Sequence, residues 1–405
     1  MRHPASALRT LNMQLGLAPE SDLTRLAARL SEGGKGYDLH KARVLGVNFK
    51  LKDFTRNPAH PVFVEDEAVR GADWADDPAQ PLAEGEAWNR GRRATASGQS
   101  YDMTEGKIPQ NPYMRTGFKG RGVLGQYGPN HAVDNGILLV KPDEKGVPTL
   151  YALGILRKFD GDAPAFAGGF AKFTKQDDGA YALDRDAIVD TKTEELFEEM
   201  ISGSVPLQSP YADRLEAEAA AEIAKRTAAN DGQEIRKELQ HEIREQIETG
   251  LKMEQVKDRD PAFWQRLRDL VSKGREAYAG PVLNDNRSTD NAWIETRLDW
   301  FMLDDDIWQK VRGDNPAYDY RFEAGDDASG VVAHRVDETL ARDAFASHGP
   351  MFAWLAAAYV LDQQKKGQTI EPSIKTQLTE MADFLQKYTP DAPKADRRNK
   401  ANPGL

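Results

Sequence analysis

GILLVKPDEKGVPTLYALGILR, residues 136–157, places two apolar, β-branched runs on either side of a turn. GILLV (136–140) and TLYALGILR (149–157) read as strands, and Pro142 to Gly146 supplies the reversal between them. Downstream, residues 188–200 form a charged helix, and 210–277 has the outline of a helical hairpin. Ile235, Leu239, Ile243, Ile247 and Leu251 repeat every fourth residue after a break at Asn230-Asp231-Gly232. That stripe reads as packing, with recognition of a partner helix as the alternative. Strand character returns at 293–302 and in VVAHRV (331–336), with a Gly/Asp turn at 324–327 before the latter. MFAWLAAAYVL (351–361) and IKTQLTEMADFLQKY (374–388) close the chain as helices. No internal repeat is present, and the mixture places the protein in the α/β (α+β) class as a sandwich.

Upstream, residues 55–112 are rich in Pro, Gly, Asp and Trp with little periodicity, which predicts a loop-rich module. A coil of that length in a compact protein usually covers something. Residues 1–35 read as helical, with Leu23, Leu26 and Leu30 in a stripe that ends at Gly33-Gly34. The first segment carries Arg2, Ser6 and Arg9 and no acid before Glu20, so an organelle-targeting segment stands beside a plain N-terminal helix. The expected division is an N-terminal helix and module over 1–112, a main domain over 113–388, and a disordered Pro/Lys/Arg-rich tail over 389–405.

With 405 residues the chain is long enough for two or three domains. Its 54 Lys+Arg against 65 Asp+Glu give −11, which argues against a broad nucleic-acid surface, because such surfaces displace counterions with positive charge. Clustered carboxylates can still take up a divalent cation. The absence of cysteine excludes disulfides, zinc–thiolate sites and thiol catalysis. No run approaches roughly 18 apolar residues, so no membrane-spanning helix is expected. A cytoplasmic protein, monomer or homodimer, is the simplest expectation.

The densest carboxylate cluster is Thr193-Glu194-Glu195-Leu196-Phe197-Glu198-Glu199. On a helix Glu195, Glu198 and Glu199 share one face, and the repulsion among them is relieved by a cation such as Mg²⁺ or Mn²⁺. A solvated acidic face is the plainer reading. Upstream, Phe166-Ala167-Gly168-Gly169-Phe170 is a paired-glycine turn that lets backbone approach a ligand closely. STDNAWIET (288–296) is a polar turn that feeds a strand, preceded by Asp285 and Arg287 as either a surface ion pair or a phosphate contact. His131 sits in a Pro-Asn-His turn that Asn130 and Asp134 cap, and Trp293 reads as core rather than as a base-stacking platform. HEIRE (241–245) lacks the second histidine of a zinc-protease helix.

Paired glycines followed by E-E-x-x-E-E on a helix resemble the Nudix signature, G-x5-E-x7-R-E-U-x-E-E-x-G-U with U aliphatic. There are departures. Asp186 stands eight positions before Glu194, where the signature has its first Glu; 16 residues separate Gly169 from Asp186 against five; and Glu194 replaces the signature Arg. That Arg braces a glutamate by a charge-assisted hydrogen bond. Asn111-Pro112, Arg115-Thr116-Gly117, Gly120-Arg121-Gly122, Leu124-Gly125 and Gly128-Pro129-Asn130-His131-Ala132 with Asp134 look like the mitochondrial-type ADP-ribose pyrophosphatase branch. A homologous domain caps the melastatin-type TRP channel. Asp285, Arg287 and Thr289-Asp290-Asn291-Ala292-Trp293 with Glu295-Thr296 resemble that branch's D-P-R-N-T-D-N-A-W-x-E-T. Glu323-Ala324-Gly325-Asp326-Asp327-Ala328, Ala346-Ser347-His348, Pro61-Val62 and Trp74-Ala75-Asp76-Asp77-Pro78 extend the likeness in the same order.

The resemblance implies a Nudix α-β-α sandwich around a mixed sheet, with 205–277 as a helical insertion. It implies hydrolysis of ADP-ribose to AMP and ribose 5-phosphate. Mg²⁺ (or Mn²⁺) is expected on Glu195, Glu198 and Glu199, with Asp186 as a further ligand and Glu323 or Asp326 as the base. Asn130, His131, Asp134, Asp285, Arg287, Asp290, Asn291 and Ser347 are the expected substrate contacts. A soluble ADP-ribose sensor without turnover, or a Nudix enzyme for another nucleoside diphosphate derivative, are the alternatives.

Overall fold

A computed structural model describes residues 22–33, 62–76, 95–96, 101–103, 108–113, 116–158, 161–175, 181–282, 285, 287–303, 320–325, 328–344 and 348–387. Two separate ribbons pair β1 (Val62–Glu65) with β2 (Phe118–Gly122) and β7 (Thr174–Lys175) with β8 (Tyr181–Ala182), and the long strands of the main sheet are β3 (Gly128–Pro142), β4 (Pro148–Arg157), β9 (Arg275–Pro281), β10 (Ala292–Met302) and β11 (Ala328–Arg335). They lie in the order β11-β4-β3-β10-β9, with β5 (Ala163–Ala165) on β4 and β6 (Ala167–Phe170) on β3. β10 runs parallel to β3 and the remaining pairs are antiparallel, so the sheet is mixed. The β3–β4 pair is the expected strand–turn–strand, but β3 begins eight residues before Gly136. Asn130 and His131 therefore lie inside a strand, in register with Ile294 and Glu295, and the Pro-Asn-His turn expected from sequence is not formed. A run that starts with Gly-Pro-Asn looks like a turn locally. Pairing to β10, more than a hundred residues later, overrides that preference.

Alternation along the strands builds the two outer layers. Ile137, Leu139, Leu153 and Ile155 point to one face and pack with α2 (Arg185–Met200) and α5 (Pro261–Ser272) through Leu196, Phe197, Met200, Phe263, Leu267 and Leu270. Leu138, Leu150, Ala152, Leu298 and Trp300 point to the other. There they meet α6 (Glu338–Asp343), α7 (His348–Lys365), α8 (Pro372–Lys387) and α1 (Asp22–Gly33). The result is the α-β-α sandwich with a mixed sheet. Leu26, Ala27 and Leu30 of α1 are almost completely buried against these C-terminal helices.

Residues 210–277 hold three helices rather than a hairpin: α3 (Leu215–Ala229), α4 (Lys237–Arg259) and α5, after which the chain enters β9. Asp260 ends α4 and caps α5, its Oδ1 accepting from the Phe263 N–H at 3.0 Å, and Pro261 starts α5 where no intrahelical donor is needed. α3 and α4 grip residues 66–73. Arg226 donates to the Ala68 carbonyl at 2.7 Å, Arg70 donates to Asn230 at 2.7 Å, and Lys225 pairs with Asp73 at 2.6 Å. Ala68 packs with Ile223, Ile235, Leu239 and Ile243, so the four-residue stripe is packing, partly against the N-terminal module. Among the described residues no helix is long and apolar enough to cross a membrane. The tail from 389 lies outside the described residues.

Candidate functional site

Strand β6 is the meeting point. It pairs with β3 so that Gly168 faces Asp134 and Gly169 faces Val133, while α2 passes beside it. The Gly168 N–H donates to Glu199 Oε2 at 2.7 Å, and a side chain at Gly169 would overlap the Glu195 carboxylate. The paired glycines are thus the space into which the acidic face of α2 fits. Burial pushes the Glu195 carboxyl well above the usual carboxylate range, and Glu198 and Glu199 push it further. Arg157, at the end of β4, stands 3.7 Å from Glu199 Oε1.

Glu194 faces elsewhere. Its Oε2 accepts from Lys172, just beyond β6, and its Oε1 from Lys257 of α4 at 2.9 Å. Burial raises its proton affinity, but the two ammonium groups outweigh that and hold it below the ordinary range.

On the other side of β6 lies the loop before β10. Asp285, almost completely buried, accepts from Arg287 Nε at 2.9 Å, from its Nη2 at 2.8 Å and from its backbone N–H at 2.9 Å. Burial works against this carboxylate, and Arg287 still keeps it ionised below the usual range. The fork is therefore rigid, and it carries the guanidinium carbon to 5.7 Å from the centre of the Phe170 ring. His348 completes the wall: its Nδ1 accepts from the Phe166 N–H at 3.0 Å and its ring stacks on Phe166 at 5.3 Å. Burial lowers its pKa below the usual imidazole value; Asp134 and Asp285 oppose this, and Arg157 and Arg287 reinforce it. A neutral ring that accepts at Nδ1 keeps its proton on Nε2.

Asp134 lies beneath. It accepts from the Thr296 hydroxyl, and its carbonyl accepts from Lys192 Nζ at 2.6 Å. Lys192 is fully buried, 3.3 Å from Asp299, and burial brings its pKa down to about 8. His131 is near the same edge: its carbonyl accepts from the Ala171 N–H at 2.8 Å, and its ring meets Phe173 edge-on at 5.5 Å.

The structure thus brings Glu195, Glu199, Asp134, His131 and the Asp285–Arg287 pair to one strand, keeps Glu198 beside Glu195 on α2, and places other sequence candidates apart. Asp186 is exposed, pairs with Arg268 at 3.3 Å, and lies nine residues before Glu195, roughly 13 Å along the helix. Glu323 has its backbone N–H on the Met200 carbonyl at 2.8 Å, which caps α2, and its carboxylate is exposed 3.5 Å from Arg321. Asn130 donates to the Gln126 carbonyl at 2.8 Å. Asp290 accepts from the Thr116 backbone and hydroxyl, and Asn291 accepts from the Gly120 N–H at 2.9 Å and donates to the Pro109 carbonyl at 2.9 Å. The last two side chains fasten residues 109–120 to the start of β10. Trp293 is buried core and donates to Glu295 at 3.0 Å. Ser347 and Asp326 lie outside the described residues.

Sequence reasoning passed over His348, Arg157 and Lys172. His348 stood in the quoted Ala-Ser-His motif, where an imidazole is a richer functional group than the hydroxyl chosen. Nothing local marked the other two.

Among the described residues no three carboxylate or imidazole groups already converge as a ligand set. The donor chemistry nevertheless suits a hard cation. Glu195, Glu198 and Glu199 offer oxygen only, and their mutual repulsion is what a divalent ion relieves.

Residues 54–128 match the family model described as NUDT9-like, N-terminal domain. Three relatives match over longer stretches. The chain is 27% identical over 249 residues to a transient receptor potential cation channel subfamily M member-like 2 of Nematostella vectensis, covering 62% of this chain and 12% of the channel. It is 27% identical over 256 residues to the mitochondrial ADP-ribose pyrophosphatase of Rattus norvegicus, covering 63% of this chain and 55% of the rat protein. A Caenorhabditis elegans protein provisionally named nudix hydrolase 6 is 25% identical over 298 residues, covering 72% of this chain and 79% of its own. The chain therefore spans a small part of the channel and about half of the rat enzyme. The mixed α/β sandwich is consistent with a Nudix-like fold.

Proposed function

We propose that this chain hydrolyses the pyrophosphate of ADP-ribose to AMP and ribose 5-phosphate, with Mg²⁺ (or Mn²⁺) held by Glu195, Glu198 and Glu199. One observation carries the reading. Four-residue β6 meets the acidic face of α2 through Gly168 and Gly169, and the Asp285–Arg287 fork through Phe170. Carboxylates that suit a divalent cation and a guanidinium that suits a phosphate or ribose hydroxyl thus flank one strand.

The bound metal would neutralise pyrophosphate oxygens and acidify the attacking water. The chain's own groups supply the rest. Arg287, locked by Asp285, binds the phosphate end and fixes its orientation. His348, neutral with its proton on Nε2, donates to an oxygen of the substrate. Gly168 and Gly169 let the carboxylates of α2 lie close against β6. Water adds to one phosphorus as the bridging P–O bond breaks, and the bridging oxygen leaves with the other phosphate. The water's proton passes to solvent.

A binding module without turnover is the second reading. It is favoured by Glu199, whose two oxygens are engaged by Gly168 and Arg157, and by Glu194 at the place of the signature Arg. Incubation with ADP-ribose and Mg²⁺, followed by chromatography for AMP, separates the two. AMP release that is lost in Glu199→Gln supports the hydrolase; calorimetric binding of ADP-ribose without AMP supports the module.

A further inference from the structure

Glu194 is half-buried, and each of its oxygens accepts from a different ammonium, Lys172 on Oε2 and Lys257 on Oε1. A carboxylate so occupied has little to offer a cation. The two lysines come from separate elements and are held at their other ends. The Lys172 backbone N–H donates to Thr191 Oγ1 at 3.1 Å, so residue 172 is tied to α2 at two points about one turn apart. The Lys257 ammonium lies 4.5 Å from the centre of the Trp264 ring, and that ring meets buried Phe197 of α2 edge-on at 5.7 Å. Exposed ion pairs are worth little, but this one is half-buried, doubly bonded and backed by an aromatic ring.

The surrounding charge explains the arrangement. Glu194, Glu195, Glu198 and Glu199 crowd less than two turns of α2. Lys172 is the ammonium that acts on Glu195, Glu198 and Glu194 together. An arginine at 194 would stand between two lysines and repel both.

We infer that Glu194 is an anchor, not a metal ligand, and that the Lys172 and Lys257 it holds are positioning residues for the metal-binding face of α2. This rests on the metal reading above. Lys257 belongs to α4, so the helical insertion contributes directly to the order of the signature helix. The chain has moved the bracing cation from the helix itself to its two neighbours.

The test is Mn²⁺ affinity measured by electron paramagnetic resonance on the full chain without substrate. Lys172→Met, Lys257→Met and Glu194→Gln should each weaken Mn²⁺ binding by roughly tenfold or more, the usual effect of losing an outer-shell partner. In turnover the Mg²⁺ half-saturation should rise in step while KM for ADP-ribose at saturating Mg²⁺ stays put. Lys172→Arg and Lys257→Arg should recover most of the affinity. The Lys172 side chain is two-thirds exposed, so its variants keep the test informative should Lys257→Met unfold. Unchanged affinity in Lys172→Met and Lys257→Met overturns this inference alone. Wild-type protein that takes up no Mn²⁺ overturns it together with the metal reading.

Discussion

Gly169 is the residue on which the site turns. Any side chain there would occupy the space of the Glu195 carboxylate, so Gly169→Ala should lower turnover by roughly 100-fold, the effect of about 1 Å of misplacement. Its thermal midpoint should change far less, because β6 is short and at the sheet's margin. Lys192 makes a separate prediction in pH. Its folded pKa of about 8 lies below its ordinary value, so the unfolded chain binds more protons between about 8 and 10.5. Stability should therefore rise as pH increases through that window, and Lys192→Met should flatten the rise in denaturant titrations. At this scale the acidic face of α2 was legible, because three- and four-residue spacing fixes which glutamates share a side. Asp290 and Asn291 were not: their partners, Thr116, Gly120 and Pro109, lie more than 170 residues away, and a polar run gives no sign of whom it binds. The motif that resembles a ligand site most closely holds the N-terminal module in place at two of its positions.

Among elements, α3 and α4 join the N-terminal module to the sandwich. Arg226 is mostly buried and donates to the Ala68 carbonyl, with a second, longer bond to Arg70 O at 3.4 Å. Arg226→Ala should cost about 1.5–3 kcal/mol, the range for hydrogen bonds to a charged group. Limited proteolysis should then cut within 62–76 earlier than in the wild type; equal cleavage rates would remove α3 from this role. The fourfold repeat of isoleucine and leucine made α4 readable in advance. The α4–α5 break, which the hairpin reading passed over, stands in the sequence as Asp260-Pro261, a cap followed by the one residue that needs no donor. The extended start of β3 was hidden, since Gly-Pro-Asn signals a turn and only the parallel pairing with β10 makes it a strand.

For the whole molecule, the sandwich followed from alternating strands and amphipathic helices, but which helices cover which face did not. α1 closes the layer made by α7 and α8, although more than three hundred residues separate them. Removal of residues 1–33 should take Leu26 and Leu30 out of the core, uncover the faces of α7 and α8 that they cover, and cost about 3 kcal/mol or more, at 1.5–3 kcal/mol for each buried leucine. A truncated protein with an unchanged thermal midpoint would show that α1 is dispensable to the core. The net charge of −11 agrees with a small-molecule site rather than a polyanion track. In the proposed function the carboxylates of α2 and the Arg287 fork cleave a pyrophosphate between them. Phosphorus NMR of ADP-ribose with Mg²⁺, comparing the wild type with Glu198→Gln/Glu199→Gln, tests it most directly. The diphosphate signals should give way to the monophosphates of AMP and ribose 5-phosphate with the wild type, and persist with the double variant. Diphosphate signals that persist with the folded wild type, or that disappear equally fast with both proteins, would contradict it.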